Sequence, residues 1–110
     1  MELAEKKCLA CSGELPKLSD VEIEKLLKEV DGWQIDGDQH LFKSFKKKNF
    51  QEALDLANQV GLVAEEEGHH PDLLVRWGEL KVTIWTHEVS ALTESDFIVA
   101  AKIDKVSKVQ

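Results

Sequence analysis

Three of the four histidines of this chain fall in one short region: His69 and His70, followed by Pro71, and then His87. Histidine is the side chain whose unperturbed pKa, about 6.5, lets it give and take protons near neutral pH. His69 and His70 leave a helical pattern at its C-terminal end, where free carbonyls and the helix dipole favour imidazolium. Adjacent residues of an extended chain point opposite ways. The pair therefore offers one histidine to each side of a substrate, or one to substrate and one to the scaffold. Pro71 fixes its own φ and biases His70 to an extended conformation. Such a cluster can carry proton transfer, or it can ligate a metal together with a carboxylate.

The elements that must position these residues are legible from capping and periodicity. Residues 1–17 read as an irregular N-terminal arm with Gly13 and Pro16 as breakers, and residues 18–110 as a single domain. Ser19 with Glu22 forms a capping box for a first helix whose apolar stripe is Val21, Leu26, Leu27 and Val30, ended by Asp31-Gly32. A hairpin follows, Trp33 to Ile35 and His40 to Lys46 about Gly37-Asp38. Asn49 caps a long second helix with a main stripe of Phe50, Ala53, Leu54, Ala57, Val60, Gly61 and Ala64. Leu56 and Val63 lie off that stripe and suggest a second contact face toward another subunit.

Gly68 ends this helix. Asp72 to Trp77 and Leu80 to His87 form a second hairpin about Gly78-Glu79. Val82, Ile84 and Thr86 share one face of its second strand, and Thr83, Trp85 and His87 the other. Thr93 with Asp96 opens a last helix through Phe97, Ala100, Ala101 and Val106. The order α-β-β-α-β-β-α predicts an α+β fold, a four-stranded antiparallel sheet with helices packed on one face. An antiparallel hairpin sets the start of its first strand beside the end of its second, so His87 can approach His69 and His70.

Composition narrows the function classes. The chain has 110 residues, 43% apolar and 32% charged, with a formal net charge of −7. That field repels nucleic acid and anionic lipid, and Lys46-Lys47-Lys48 reads as a solvated strand end. No signal peptide and no long apolar run is visible, which points to a cytoplasmic protein. Cys8 and Cys11 are half of a zinc ribbon without a second pair, and read as reduced thiols in a mobile arm, with a shared metal as the alternative. Trp33 and Trp77 read as core residues and His40 as a surface residue.

Glu65, His69-His70-Pro71, Trp77, His87 and Asp96, at these spacings, resemble the signature of the pterin-4a-carbinolamine dehydratases. Gly32-Trp33, the Leu41–Phe45 strand and the Asn49-Phe50 helix start fit the same family, over about residues 15–106. The resemblance implies a hydro-lyase that dehydrates 4a-hydroxytetrahydrobiopterin, or a related carbinolamine, to the quinonoid dihydropterin. That step recycles the pterin cofactor of aromatic amino acid hydroxylation. It implies catalysis without metal or organic cofactor, with His69 as the main acid/base, His87 as a second proton donor and His70 binding the ring. Asp96 would support a histidine or contact the ring, with Glu65, Pro71 and Trp77 shaping the substrate site. It also implies a homodimer or homotetramer formed through the second helix and the sheet edge. Two other function classes fit the residues: a histidine-ligated metalloenzyme, and a dimeric protein-binding module of the transcriptional coactivator kind.

Overall fold

A computed structural model describes residues 3–5 and 17–108. Its helix starts follow from side chains that accept otherwise unpaired backbone N–H groups. Helix α1, Asp20–Leu27, is opened by Ser19, whose Oγ accepts the Glu22 N–H at 3.2 Å while Glu22 Oε1 accepts the Ser19 N–H at 2.9 Å. Strands β1, Gln34–Ile35, and β2, Leu41–Lys46, form the first hairpin. Helix α2, Phe50–Glu67, starts where Asn49 Oδ1 accepts the Glu52 N–H at 2.9 Å. It stops at Gly68, whose φ of 66° is left-handed and suits a residue without Cβ. Strands β3, Asp72–Arg76, and β4, Glu79–Ile84, lead to helix α3, Glu94–Ser107.

The four strands form one antiparallel sheet in the order β1-β2-β4-β3. Its register sets Leu41 opposite Ile84 and Asp72 opposite Thr83. Leu41, Phe45, Leu80, Val82 and Ile84 point to the face where Leu56, Val60, Phe97, Val99 and Ile103 complete the core. This is the α+β fold and element order expected from the sequence. Leu3, in a short 3-10 turn over Leu3–Glu5, is also buried and packs with α3. Cys8, Cys11, Gly13 and Pro16 lie outside the described residues.

Six apolar assignments need correction. Leu56 is fully buried and Val63 packs on the core, whereas Phe50, Leu54 and Leu62 are exposed. The inward arc of α2 runs through Ala53, Leu56, Ala57, Val60, Ala64 and Glu67, offset from the stripe that the apolar residues alone suggested. The helix is wedged between the sheet and α3, and this position, rather than its own periodicity, selects the face. Val21 is exposed, and Ile23 takes its place beside Leu26, Leu27 and Val30. Trp77 is 73% exposed, while Trp33 is buried and donates its indole N–H to Asp104 at 3.0 Å. Asp104 also accepts Lys43 Nζ at 2.8 Å, which ties β2 to α3. Among the described residues no helix is long and apolar enough to cross a membrane.

Candidate active site

The left-handed turn at Gly68 sends the chain off the end of α2, and the His69 N–H caps back onto the Ala64 carbonyl at 3.2 Å. The two histidines then separate. His69 turns inward and is 6% exposed; the His70 side chain turns outward and is 60% exposed. Of the two arrangements open to the sequence, the structure shows one ring on the scaffold side and one on the open side.

His69 Nε2 lies 2.6 Å from Asp96 Oδ1. An ionised carboxylate only accepts, so Nε2 carries the proton. The other carboxylate oxygen, Oδ2, accepts the Thr86 hydroxyl at 2.8 Å and the Thr93 N–H at 2.8 Å. Because the Thr86 proton goes to Asp96, the Thr93 hydroxyl is the donor in the 2.9 Å contact between the two threonines. Asp96, Thr86 and Thr93 are all buried. The carboxylate is thus fixed in orientation by three donors, and it fixes the imidazole in one tautomer. Among the described residues no buried side-chain N or O lacks a partner, and no hydrogen bond engages His69 Nδ1. Nδ1 is therefore the ring atom that reaches the surface. An imidazole held in this way can exchange a proton at Nδ1, with the carboxylate behind it.

On the outer side of the sheet end, His70 Nε2 donates to Glu65 Oε2 at 2.5 Å across the last turn of α2. Trp85 follows β4 and stacks between two histidine rings. His40 lies on one face at 3.8 Å and His87 on the other at 4.3 Å, both within 7° of parallel. Continuing the β2–β4 register one step beyond Leu41–Ile84 sets His40 opposite Trp85. Continuing the β3–β4 register beyond Asp72–Thr83 brings His70 to the same level.

His87 itself does not end a strand. β4 stops at Ile84, Thr86 makes an isolated bridge to Ala91, and His87 opens the turn that this bridge closes. The expected alternation still holds: Val82, Ile84 and Thr86 are buried, and His87 is outward. His40, read from the sequence as an isolated surface residue, is half-buried against Trp85. The backbone N–H of His40 also bonds to Asp36 and holds that carboxyl below its usual range. Asp36, Asp38 and His40 have ligand atoms within 4.8 Å of one another; none of His69, His70 and His87 belongs to that group.

Glu65, His69, His70, Pro71 and Asp96 thus gather where α2 ends and α3 begins. Trp77 does not join them: it follows β3 at the opposite end of the hairpin, about 20 Å along the strand from Pro71. A cleft of about 590 Å³ elsewhere, lined by Leu3, Val30, Asp31, Ala101 and Asp104, contains none of the histidines. Sequence reading missed Thr86, Thr93 and Trp85 as parts of the site. A signal for Thr86 was present, since a hydroxyl on an otherwise apolar inward face requires a buried partner.

Comparison with known proteins shows the family. Residues 16–106 match the family described as Pterin 4 alpha carbinolamine dehydratase. The chain belongs to that family. The Rubrobacter xylanophilus protein named "Putative pterin-4-alpha-carbinolamine dehydratase" is 48% identical over 96% of this chain and 98% of its own. An Alkaliphilus metalliredigens protein of the same name is 50% identical over 94% of each chain. A crystal structure described as a transcriptional coactivator/pterin dehydratase from Brucella melitensis superimposes with a TM-score of 0.77. It is 34% identical, and the match covers 83% of this chain and 98% of that one. As a pterin-4a-carbinolamine dehydratase the protein is a hydro-lyase. Cys8 and Cys11 fall outside the matched span.

Proposed function

We propose that the protein dehydrates 4a-hydroxytetrahydrobiopterin, or a close carbinolamine, by histidine acid/base chemistry, in pterin cofactor recycling. In this reaction the C4a–O bond breaks, the hydroxyl leaves as water after gaining a proton, and the N5 proton is lost as the C4a–N5 double bond forms. The observation that carries the reading is the His69–Asp96 pair. A buried carboxylate locks one ring nitrogen, and the other is left to hold or move a proton at the site surface.

In this reading His69 is the main acid/base. His87, held flat on Trp85, is the second proton donor. His70, exposed and oriented by Glu65, binds the ring, with Pro71 shaping the approach. The test is stopped-flow absorbance of a freshly prepared 4a-carbinolamine. The protein should accelerate its dehydration, and a rate equal to the spontaneous one would sink the reading. Activity that survives exhaustive chelation would separate it from a metalloenzyme.

Self-association through the exposed Phe50, Leu54 and Leu62 face of α2 and through the sheet edge belongs to the same proposal. A protein-binding role is the second reading, favoured by the coactivator description of the Brucella melitensis relative. His69→Ala separates the two: a binding module keeps its partner, and a dehydratase loses turnover.

A further inference from the structure

Thr86 stands between His69 and His87 in the hydrogen-bond network, and all of its polar groups are engaged there. Its hydroxyl donates to Asp96 Oδ2 at 2.8 Å and receives the Thr93 hydroxyl at 2.9 Å. Asp96 Oδ1 in turn accepts from His69 Nε2. The backbone of Thr86 serves the other histidine. Its N–H donates to the Ala91 carbonyl at 2.9 Å, and its carbonyl accepts the N–H groups of Ala91 and Val89, both at 3.3 Å. These bonds close the turn 87–90, which begins with His87.

The turn is held under strain. Ser90 has a φ of 50°, in the left-handed region that a residue with a Cβ seldom adopts. Such a conformation persists only where the surrounding structure imposes it. The Ser90 N–H donates back to the His87 carbonyl at 3.2 Å, so the strained residue and His87 belong to one closed ring of bonds. Ser90 is exposed, whereas Thr86 is 1% exposed, so the turn is anchored from its buried end.

We propose that Thr86 is a positioning residue for both proton-transfer histidines. Through its hydroxyl and Asp96 it sets the His69 ring, and through its backbone it sets the turn that carries His87. The inference rests on the dehydratase reading for what the two rings do. Dehydration moves two protons in one turnover, one onto the leaving hydroxyl and one off N5. Two groups that serve one substrate must keep a fixed separation, and a displacement of about 1 Å can cost about a hundredfold in rate. The Trp85 stack holds the face of the His87 ring. Thr86 fixes where that ring stands relative to His69.

Thr86→Val removes the hydroxyl at nearly constant shape, and Thr86→Ser keeps it. Nitrogen-15 NMR of the histidine rings reads the side-chain effect without substrate. His69 should show one tautomer, with the proton on Nε2, in the unsubstituted protein and in Thr86→Ser, and both tautomers in Thr86→Val. Turnover of 4a-carbinolamine should fall about ten- to hundredfold in Thr86→Val with KM little changed, and Thr86→Ser should recover most of it. A single His69 tautomer or unchanged turnover in Thr86→Val, or a Thr86→Ser protein as slow as Thr86→Val, would overturn the proposal.

Ser90→Val tests the backbone arm, and it decides the matter if Thr86→Val does not fold. Valine is disfavoured in the left-handed region, so the turn must shift. Residue 90 lies beyond His87, and a change at the His69 ring must pass through Thr86. The ring signals of His87 and of His69 should both move, and turnover should fall about tenfold. Displaced His87 signals with unchanged His69 signals would overturn the proposal. If the unsubstituted protein does not accelerate dehydration but the ring signals respond as described, the dehydratase reading fails and the positioning role stands.

Discussion

His69 Nε2 and Asp96 Oδ1 meet at 2.6 Å although 27 positions separate them in the chain. The contact links the end of α2 to the first turn of α3, and it is dry: the two side chains are 6% and 0% exposed. A bond between two partners so deeply buried orients a ring, because the low local dielectric strengthens it. The same Asp96 also accepts the Thr93 N–H at the start of α3, so the helix cap and the partner of the His69 ring are one carboxylate.

Asp96→Asn should separate these tasks. The amide oxygen can still accept from Thr86 and Thr93, but the amide nitrogen that replaces the other carboxylate oxygen cannot accept from His69 Nε2. We expect a kcat loss of about 10²–10⁴ and a stability loss of about 1–3 kcal/mol. Single-turnover kinetics and urea denaturation measure the two. Unchanged turnover would remove Asp96 from the mechanism.

The His40–Trp85–His87 stack predicts a graded pair of effects. Trp85→Ala removes both ring contacts and His40→Ala one, at about 0.5–1.5 kcal/mol per aromatic pair. Turnover should fall further for Trp85→Ala, because only that change leaves His87 unsupported. Equal turnover in both variants would show that the stack does not position His87.

Leu56→Ala and Leu62→Ala discriminate the two faces of α2. Leu56 is fully buried, so its truncation should cost about 2–5 kcal/mol. Leu62 is 65% exposed, so its truncation should change the stability of one chain by no more than about 0.5 kcal/mol. Chemical denaturation at low protein concentration reads both.

Acid should weaken the fold through three carboxylates, the exposed Glu22 and the half-buried Asp36 and Glu79. The Ser19 backbone N–H holds Glu22 below the usual range, the Ser44 hydroxyl does so for Glu79, and the His40 N–H for Asp36. A depressed folded-state pKa contributes stability that is present above the unfolded value. That stability is lost as pH falls through the folded one. The urea midpoint should therefore hold above about pH 4.5 and decline below it. Glu22→Gln should flatten part of that decline; an unchanged slope would show that the α1 capping box does not contribute.

Local chemistry was legible from the chain because it acts over a few residues. Ser19 with Glu22, Asn49 with Glu52, and Gly68 are satisfied within a turn, so their helix ends could be read directly. The alternation of Val82, Ile84 and Thr86 set the buried face of β4 in the same way. The His69-His70-Pro71 step required the two rings to diverge, because consecutive extended residues point apart. The signature spacing, through its resemblance, placed the chain in its family.

The sequence by itself thus determined which elements form, where they are capped, and which residue types are chemically able to exchange protons near neutral pH. Only the tertiary structure decided that His69 is the ring turned inward, since that depends on Asp96 arriving from α3. The tertiary structure likewise seated Leu56 in the core, stacked His40 on Trp85 and left Trp77 at the far end of the hairpin. In each case the partner lies on another element, and pairwise spacing along the chain does not encode which faces meet when the layers pack.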